Sequence, residues 1–225
     1  ALLALAMRRD STDRVVPVRR IGAAYTPPVT LAVLLRGKRR VAGVMMAVGV
    51  LRVLPATGVP LALAYVLKQR GESNAGIGFV QSVFLGGVGA GSLACALFVR
   101  RARERTVFWL LPVLAVPLLA ACPIVGYAGM VACVAAVGVL IGAVMPILVG
   151  YGQRLLHDGP RVASSLTMGV TWGVGGMAVA ALVAALNAVH RPDLAFAAFA
   201  VASLVSSVLC VWLPEPDAIG SVGAA

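Results

Sequence analysis

The chain has 225 residues, 60% of them hydrophobic and only 12% charged, with a mean hydropathy of +0.97; a soluble domain carries about 25% charged residues. No water-facing surface can be covered from that composition, so the chain reads as an integral membrane protein. Its formal net charge of +11 does not point to nucleic acid, because the basic residues lie between apolar runs, where they set orientation, and not among aromatics on a polar face.

Ala1 to Met7 (ALLALAM) is apolar and is followed by Arg8 and Arg9. A secretory signal has its charges before the apolar region, so residues 1–7 are expected to be the end of a truncated transmembrane helix and the chain a C-terminal fragment. Residues 8–40 hold nine Arg/Lys against Asp10 and Asp13 and read as a basic cytoplasmic linker. Its short apolar piece, Ile21 to Leu35, is broken by Pro27-Pro28 and suits an interfacial helix from about Pro28 to Arg36.

Residues 41–67 form the first span, 27 residues with one charge, Arg52, near the middle and Pro55 and Pro60 just after it. A helix of that length reaches about 40 Å, more than the roughly 30 Å of bilayer hydrocarbon. Residues 75–99 carry no charge and end at the basic loop Arg100 to Arg105. Thr106 to Gly152 is charge-free for 47 residues; one helix would be about 70 Å, so two spans are expected, 106–122 and 126–152, turning at Cys122-Pro123 to Gly126. A polar loop from Gln153 to Arg161 precedes the span 162–189. The turn His190-Arg191-Pro192-Asp193 then leads to the last span, 194–213, and residues 214–225 form a cytoplasmic tail.

The loop charges test that count. Fifteen basic residues fall on the side of the linker and three (Lys68, Arg70, Arg191) on the other. This positive-inside bias places the linker and the C-terminus in the cytoplasm and the protein in the inner or plasma membrane.

Ala47-Val-Gly-Val-Leu51 recurs as Ala136-Val-Gly-Val-Leu140, 89 residues later, each followed by a proline, Pro55 and Pro146. Gly87-Val-Gly-Ala90 is echoed by Gly173-Val-Gly-Gly176, 86 residues later. Both echoes link a span to the third one after it. Three crossings reverse the side from which the chain enters, so the expected architecture is all-α with six transmembrane helices in a 3+3 inverted repeat, a recurring plan of secondary transporters. Gly87/Gly91 and Gly169/Gly173 are spaced for close helix approach, with a hinge or gating role as the other reading; Gly176 ends the second echo. The G-x-G-x-x-A match at Gly89-Ala-Gly91-Ser-Leu-Ala94 lacks a preceding strand and is no nucleotide site.

Pro146-Ile-Leu-Val-Gly-Tyr-Gly-Gln-Arg-Leu-Leu156, followed by Arg161-Val-Ala-Ser-Ser-Leu-Thr-Met-Gly-Val-Thr-Trp-Gly-Val-Gly-Gly176, resembles the tenth and eleventh helices of the major facilitator superfamily. The nearest similarity is to the fosmidomycin-resistance type of efflux permease, whose seventh helix the first span, with Leu51-Arg52 and Pro60-Leu61, is similar to. The resemblance covers about Val41 to Leu213. It implies one six-helix half of a twelve-helix transporter, with a missing N-terminal half and a substrate cavity between the two. The chain departs from the superfamily loop signature G-x-x-x-D-R-x-G-R-R: Ala96 to Arg105 keeps the basic cluster but lacks its acidic residue and second glycine.

Arg52 lies about 17 Å from the start of its span and so near the midplane. Arginine keeps its proton, and its charge needs water, a carboxylate or an anion opposite it. No span holds an acid. A cavity-facing role toward an anionic substrate and a structural, snorkelling role are both open. Trp172 has two readings as well, stacking on substrate or facing lipid. Gln153 and Arg154 close the fourth span as a solvated helix end or as a gate. His157 and His190 fall on opposite sides of the membrane. The four cysteines, without C-x-x-C spacing, read as small buried hydrophobes, so neither a metal site nor a cofactor is expected.

The expectation is therefore a secondary active transporter, not an enzyme, moving a drug or small metabolite outward by alternating access, driven by a proton gradient whose coupling acids lie upstream. The alternative is a non-transporting six-helix membrane scaffold or assembly protein.

Overall fold

The computed structural model describes residues 39–98, 104–155 and 160–213. Residues 1–38, which include the expected truncated helix, interfacial helix and most of the linker, lie outside the described residues, as do the loop arginines 100, 101 and 103, His157 and the tail; the last two linker residues, Arg39 and Arg40, begin the first helix. Those described are helical apart from short turns, with no strand among them. In chain order the helices are α1 (Arg39–Gln69), α2 (Asn74–Phe98), α3 (Glu104–Ala121) and α4 (Tyr127–Leu155). A short α5 (Pro160–Ser164) passes through a π-helical turn (Ser165–Val170) into α6 (Thr171–Ala188). Last come α7 (Leu194–Leu209) and a closing 3₁₀ turn (Cys210–Trp212).

Five stretches are long and apolar enough to cross a membrane: α1, α2, α4, Val162–Ala188 and Leu194–Trp212. The apolar part of α3, Thr106–Ala121, is shorter. With 18 residues, α3 reaches about 27 Å. Large apolar side chains such as Leu85, Leu93, Trp109, Met177, Val201 and Val208 stand exposed on the outer faces. Water would penalise that surface, whereas hydrocarbon does not. This is the architecture of a multi-pass membrane protein.

Prolines sit inside α1 (Pro55, Pro60), α3 (Pro112, Pro117) and α4 (Pro146) without ending those helices. Each lacks an N–H, so the carbonyl four residues earlier has no intrahelical donor. Side chains from other helices serve two of these carbonyls. Ser92 of α2 donates to Gly142, four residues before Pro146, at 2.9 Å. Arg52 of α1 donates to Phe108, four residues before Pro112.

Two helices end on left-handed residues. Gly71 (φ 78°) terminates α1, with Glu72 N–H bonded to the Leu67 carbonyl at 3.0 Å and Gly71 N–H to that of Lys68 at 3.1 Å. His190 (φ 57°) terminates α6 in the same two-bond pattern, reaching back to Leu186 and Asn187. Glycine adopts that backbone freely, whereas histidine is strained by it.

The most extensive contact is α2 on α4; α3 packs on both α4 and α7, α1 packs on both α6 and α7, and α1 touches α4. The core divides into two clusters. One gathers Leu63, Leu67, Phe84, Leu119, Met130, Phe196 and Phe199; the other gathers Met45, Val48, Phe108, Leu148, Tyr151 and Cys210. Arg52 falls between them along α1.

Candidate functional site

Arg52 is 3% exposed. Side chains on a helix lean toward its N-terminus, so the guanidinium is carried toward the end of the bundle where α1 and α3 begin and α7 finishes. There it stacks on Phe108, with the guanidinium carbon 3.6 Å from the ring centroid, a cation–π contact. The Phe108 ring is itself stacked on Tyr151 of α4, centroids 6.4 Å apart and planes 11° apart. One terminal nitrogen, Nη2, donates to the Phe108 carbonyl that Pro112 leaves free, and to Cys210 Sγ at 3.0 Å. The Cys210 thiol in turn donates to the Ser206 carbonyl at 3.0 Å. Nε and Nη1 of Arg52 are buried without a hydrogen-bond partner, as is Ser207 Oγ. Among the described residues no carboxylate pairs with this cation.

Arg52 also borders a cavity of about 20 Å³, lined with it by Pro55 (α1), Pro112 and Ala115 (α3), Leu140, Ile141, Val144 and Met145 (α4), and Ser203 (α7). Drug-sized ligands need about 300–1,000 Å³, so within this chain the arginine faces a space for a solute of water or halide size. Trp172 is not part of it. It is 40% exposed, on the outer face of α6, and the two expected substrate contacts are not brought together within the chain.

The expected packing residues divide. Gly87 and Gly91 lie against α4 so closely that an added Cβ would stand 2.7 Å from the Ala135 carbonyl oxygen and 2.0 Å from that of Val139. Their counterparts on α4, Gly138 and Gly142, would meet the carbonyls of Phe84 and Val88 at 2.5 and 2.0 Å. Two i, i+4 glycine pairs thus face one another at the α2–α4 crossing. Gly169, Gly173 and Gly176 meet nothing within 4 Å, so the Gly169/Gly173 pair does not bring helices together within this chain. On α6 that contact is made by Gly175, whose added Cβ would stand 2.7 Å from the Val53 side chain of α1. Gly49 of α1 reciprocates against Thr171, and Gly152 of α4 lies against Thr167. Both threonines bond back to carbonyls four residues earlier across the π turn, Thr167 to Ala163 at 2.8 Å and Thr171 to Thr167. Pro55 is buried and Pro146 sits within α4.

At the end of α4, Gln153 Nε2 donates to Ser164 Oγ at 3.3 Å, and Arg154 forms an ion pair with Glu104 at the start of α3. An acid in a first turn and a base in a last turn both suit their helix dipoles. Glu104 thus supplies Arg154 with an acidic partner at the start of α3. On the opposite end, Arg70 donates to the Val125 carbonyl at 3.0 Å and to that of Pro123, tying the α1–α2 loop to the α3–α4 turn. The α6–α7 turn is closed by Arg191 bonded to Asp193 at 3.2 Å. Burial is negligible there, and the hydrogen bond from Arg191 holds the Asp193 carboxyl below its ordinary pKa.

Phe108, Cys210, Glu104, Gly138 and Gly175 were not singled out from the sequence. Pro112, four residues after Phe108, was the signal for a free carbonyl, and the Gly138/Gly142 spacing was as plain as that of Gly87/Gly91. Among the described residues no group of three His, Cys, Asp or Glu converges as metal ligands would. No family model, curated protein or solved structure matches the chain.

Proposed function

We propose that this bundle is one six-helix half of a secondary active transporter of the major facilitator type, exporting a drug or small anionic metabolite through a pocket that a second bundle completes. The observation that supports it is that the main helix contacts correspond when each span is exchanged with the third one after it, although the slight α6–α7 contact has no comparable α2–α3 counterpart. With α5, the π turn and α6 taken together as the fifth span, the pairing of spans one and five mirrors that of four and two. Likewise one with six mirrors four with three, while three with six and one with four map onto themselves.

Individual residues support the same symmetry. Arg52 and Ile141, 89 residues apart, line one cavity, as do Pro55 and Val144 at the same separation. Gly49 and Gly138, again 89 apart, each make the close approach of their own span. Gly175, 88 residues after Gly87, makes the partner approach; the register is therefore two residues beyond the Gly173 echo. Three-helix units repeated with opposite orientation are the element from which such transporters build alternating access. The positive-inside bias puts the Glu104–Arg154 end in the cytoplasm, and a proton gradient is the natural driving force.

Inside-out vesicles from cells expressing the full-length protein test the reading. Gradient-dependent uptake of one member of a panel of small anionic and amphipathic compounds, abolished by a protonophore, supports transport. A complete panel with no gradient-dependent uptake, from protein verified as folded in those vesicles, favours the scaffold.

A further inference from the structure

A buried guanidinium has five N–H donors and a full charge that it does not release. In Arg52 one terminal nitrogen is committed to Phe108 and Cys210, while Nε and Nη1 have no partner although the residue is 3% exposed. Stranded donors of this kind in a low-dielectric interior cost several kcal/mol each unless something occupies the space beside them. Arg52 also lines a cavity of about 20 Å³, as its sole charged residue, with Ser203 as its sole hydroxyl.

We propose that this cavity binds a single monatomic anion of the chloride type, which serves as the counter-ion of Arg52. Water would satisfy the donors but leave the charge uncompensated, and among the described residues no carboxylate pairs with the guanidinium. A polyatomic oxyanion needs donors around several oxygens, whereas the remaining walls are Pro55, Pro112, Ile141 and other apolar groups. One spherical ion, facing Arg52 and Ser203 among the lining residues, fits the volume. The site does not depend on the transporter reading, since a scaffold would need the same compensation.

The full-length protein, purified in detergent, is unfolded by heat in sodium gluconate, chloride or bromide at constant ionic strength, with tryptophan fluorescence as the readout. The expected result is a saturable rise of the midpoint by about 2–4 °C with either halide, absent in Arg52→Met. Crystals grown in bromide give an independent reading on the unmodified protein, with an anomalous peak in the cavity. Identical midpoints in gluconate and halide, a halide response retained in Arg52→Met, or crystals with no bromide peak at the cavity would each overturn the proposal in favour of water.

Discussion

The guanidinium of Arg52 lies 3.6 Å above the ring of Phe108 and also donates to that residue's carbonyl. One residue thus supplies both a π face and a free acceptor, the latter because Pro112 withholds the N–H that would otherwise use it. A double-mutant cycle reads this coupling. Phe108→Ala is expected to lower stability by about 3–5 kcal/mol through lost packing. The loss should shrink by about 1–2 kcal/mol in an Arg52→Met background, where the cation–π contact no longer exists. Equal losses in both backgrounds would remove the contact from the account.

The α2–α4 crossing depends on glycine at four positions. Gly142→Leu places a side chain where the Val88 carbonyl oxygen stands 2.0 Å from an added Cβ and should separate the helices, costing roughly 1–3 kcal/mol or more. Gly173→Ala, with nothing within 4 Å, should leave the unfolding midpoint of the bundle unchanged. Thermal unfolding of the two variants side by side checks the contrast.

Charge reversal tests the Glu104–Arg154 pair. Either Glu104→Arg or Arg154→Glu alone juxtaposes like charges and should lower the midpoint, and the double exchange should recover only part of it. The helix dipoles, which favour the native arrangement at both ends, oppose the exchanged one. Full recovery would show that the dipoles contribute nothing here.

His190 ends α6 with φ 57°, a conformation that glycine adopts without the Cβ penalty of about 1–2 kcal/mol. His190→Gly should therefore raise stability, less the entropy glycine adds to the unfolded chain. Nearby, the Asp193 carboxyl is held below its ordinary pKa by Arg191. Its stabilisation is present above the unfolded-state pKa and is lost as pH falls through the lower, folded value. The pair is solvent-exposed, so the effect is small; Asp193→Asn should flatten that part of the acid limb in denaturation measured against pH.

The helical, membrane-type class was legible because apolar runs and their basic punctuation follow from one solvent constraint, and Arg52 stood out because a charge in such a run is expensive. Its neighbours were not legible. Phe108 and Cys210 look like ordinary apolar positions, and they meet Arg52 only because α1, α3 and α7 converge at one end of the bundle. The glycines show the same limit. Spacing marked Gly87/Gly91 and Gly169/Gly173 alike, but rotation about each helix decides which face meets a neighbour, and on α6 that face carries Gly175. The π turn, with Thr167 and Thr171 bonding back along the chain, left no trace in the hydropathy.

The proposed inverted arrangement of two three-helix units requires α3, whose apolar stretch Thr106–Ala121 is the shortest of the six, to cross the membrane, and labelling of the α3–α4 turn measures this most directly. In a background without native cysteines, single cysteines at Ser73, Gly126, Gln153 and His190 are exposed to an impermeant maleimide from one side of sealed vesicles. The account predicts that Gly126→Cys labels together with Ser73→Cys and His190→Cys, consistent with the Arg70 bonds to Val125 and Pro123, and from the side opposite Gln153→Cys. Labelling of Gly126→Cys from the side opposite Ser73→Cys would contradict it.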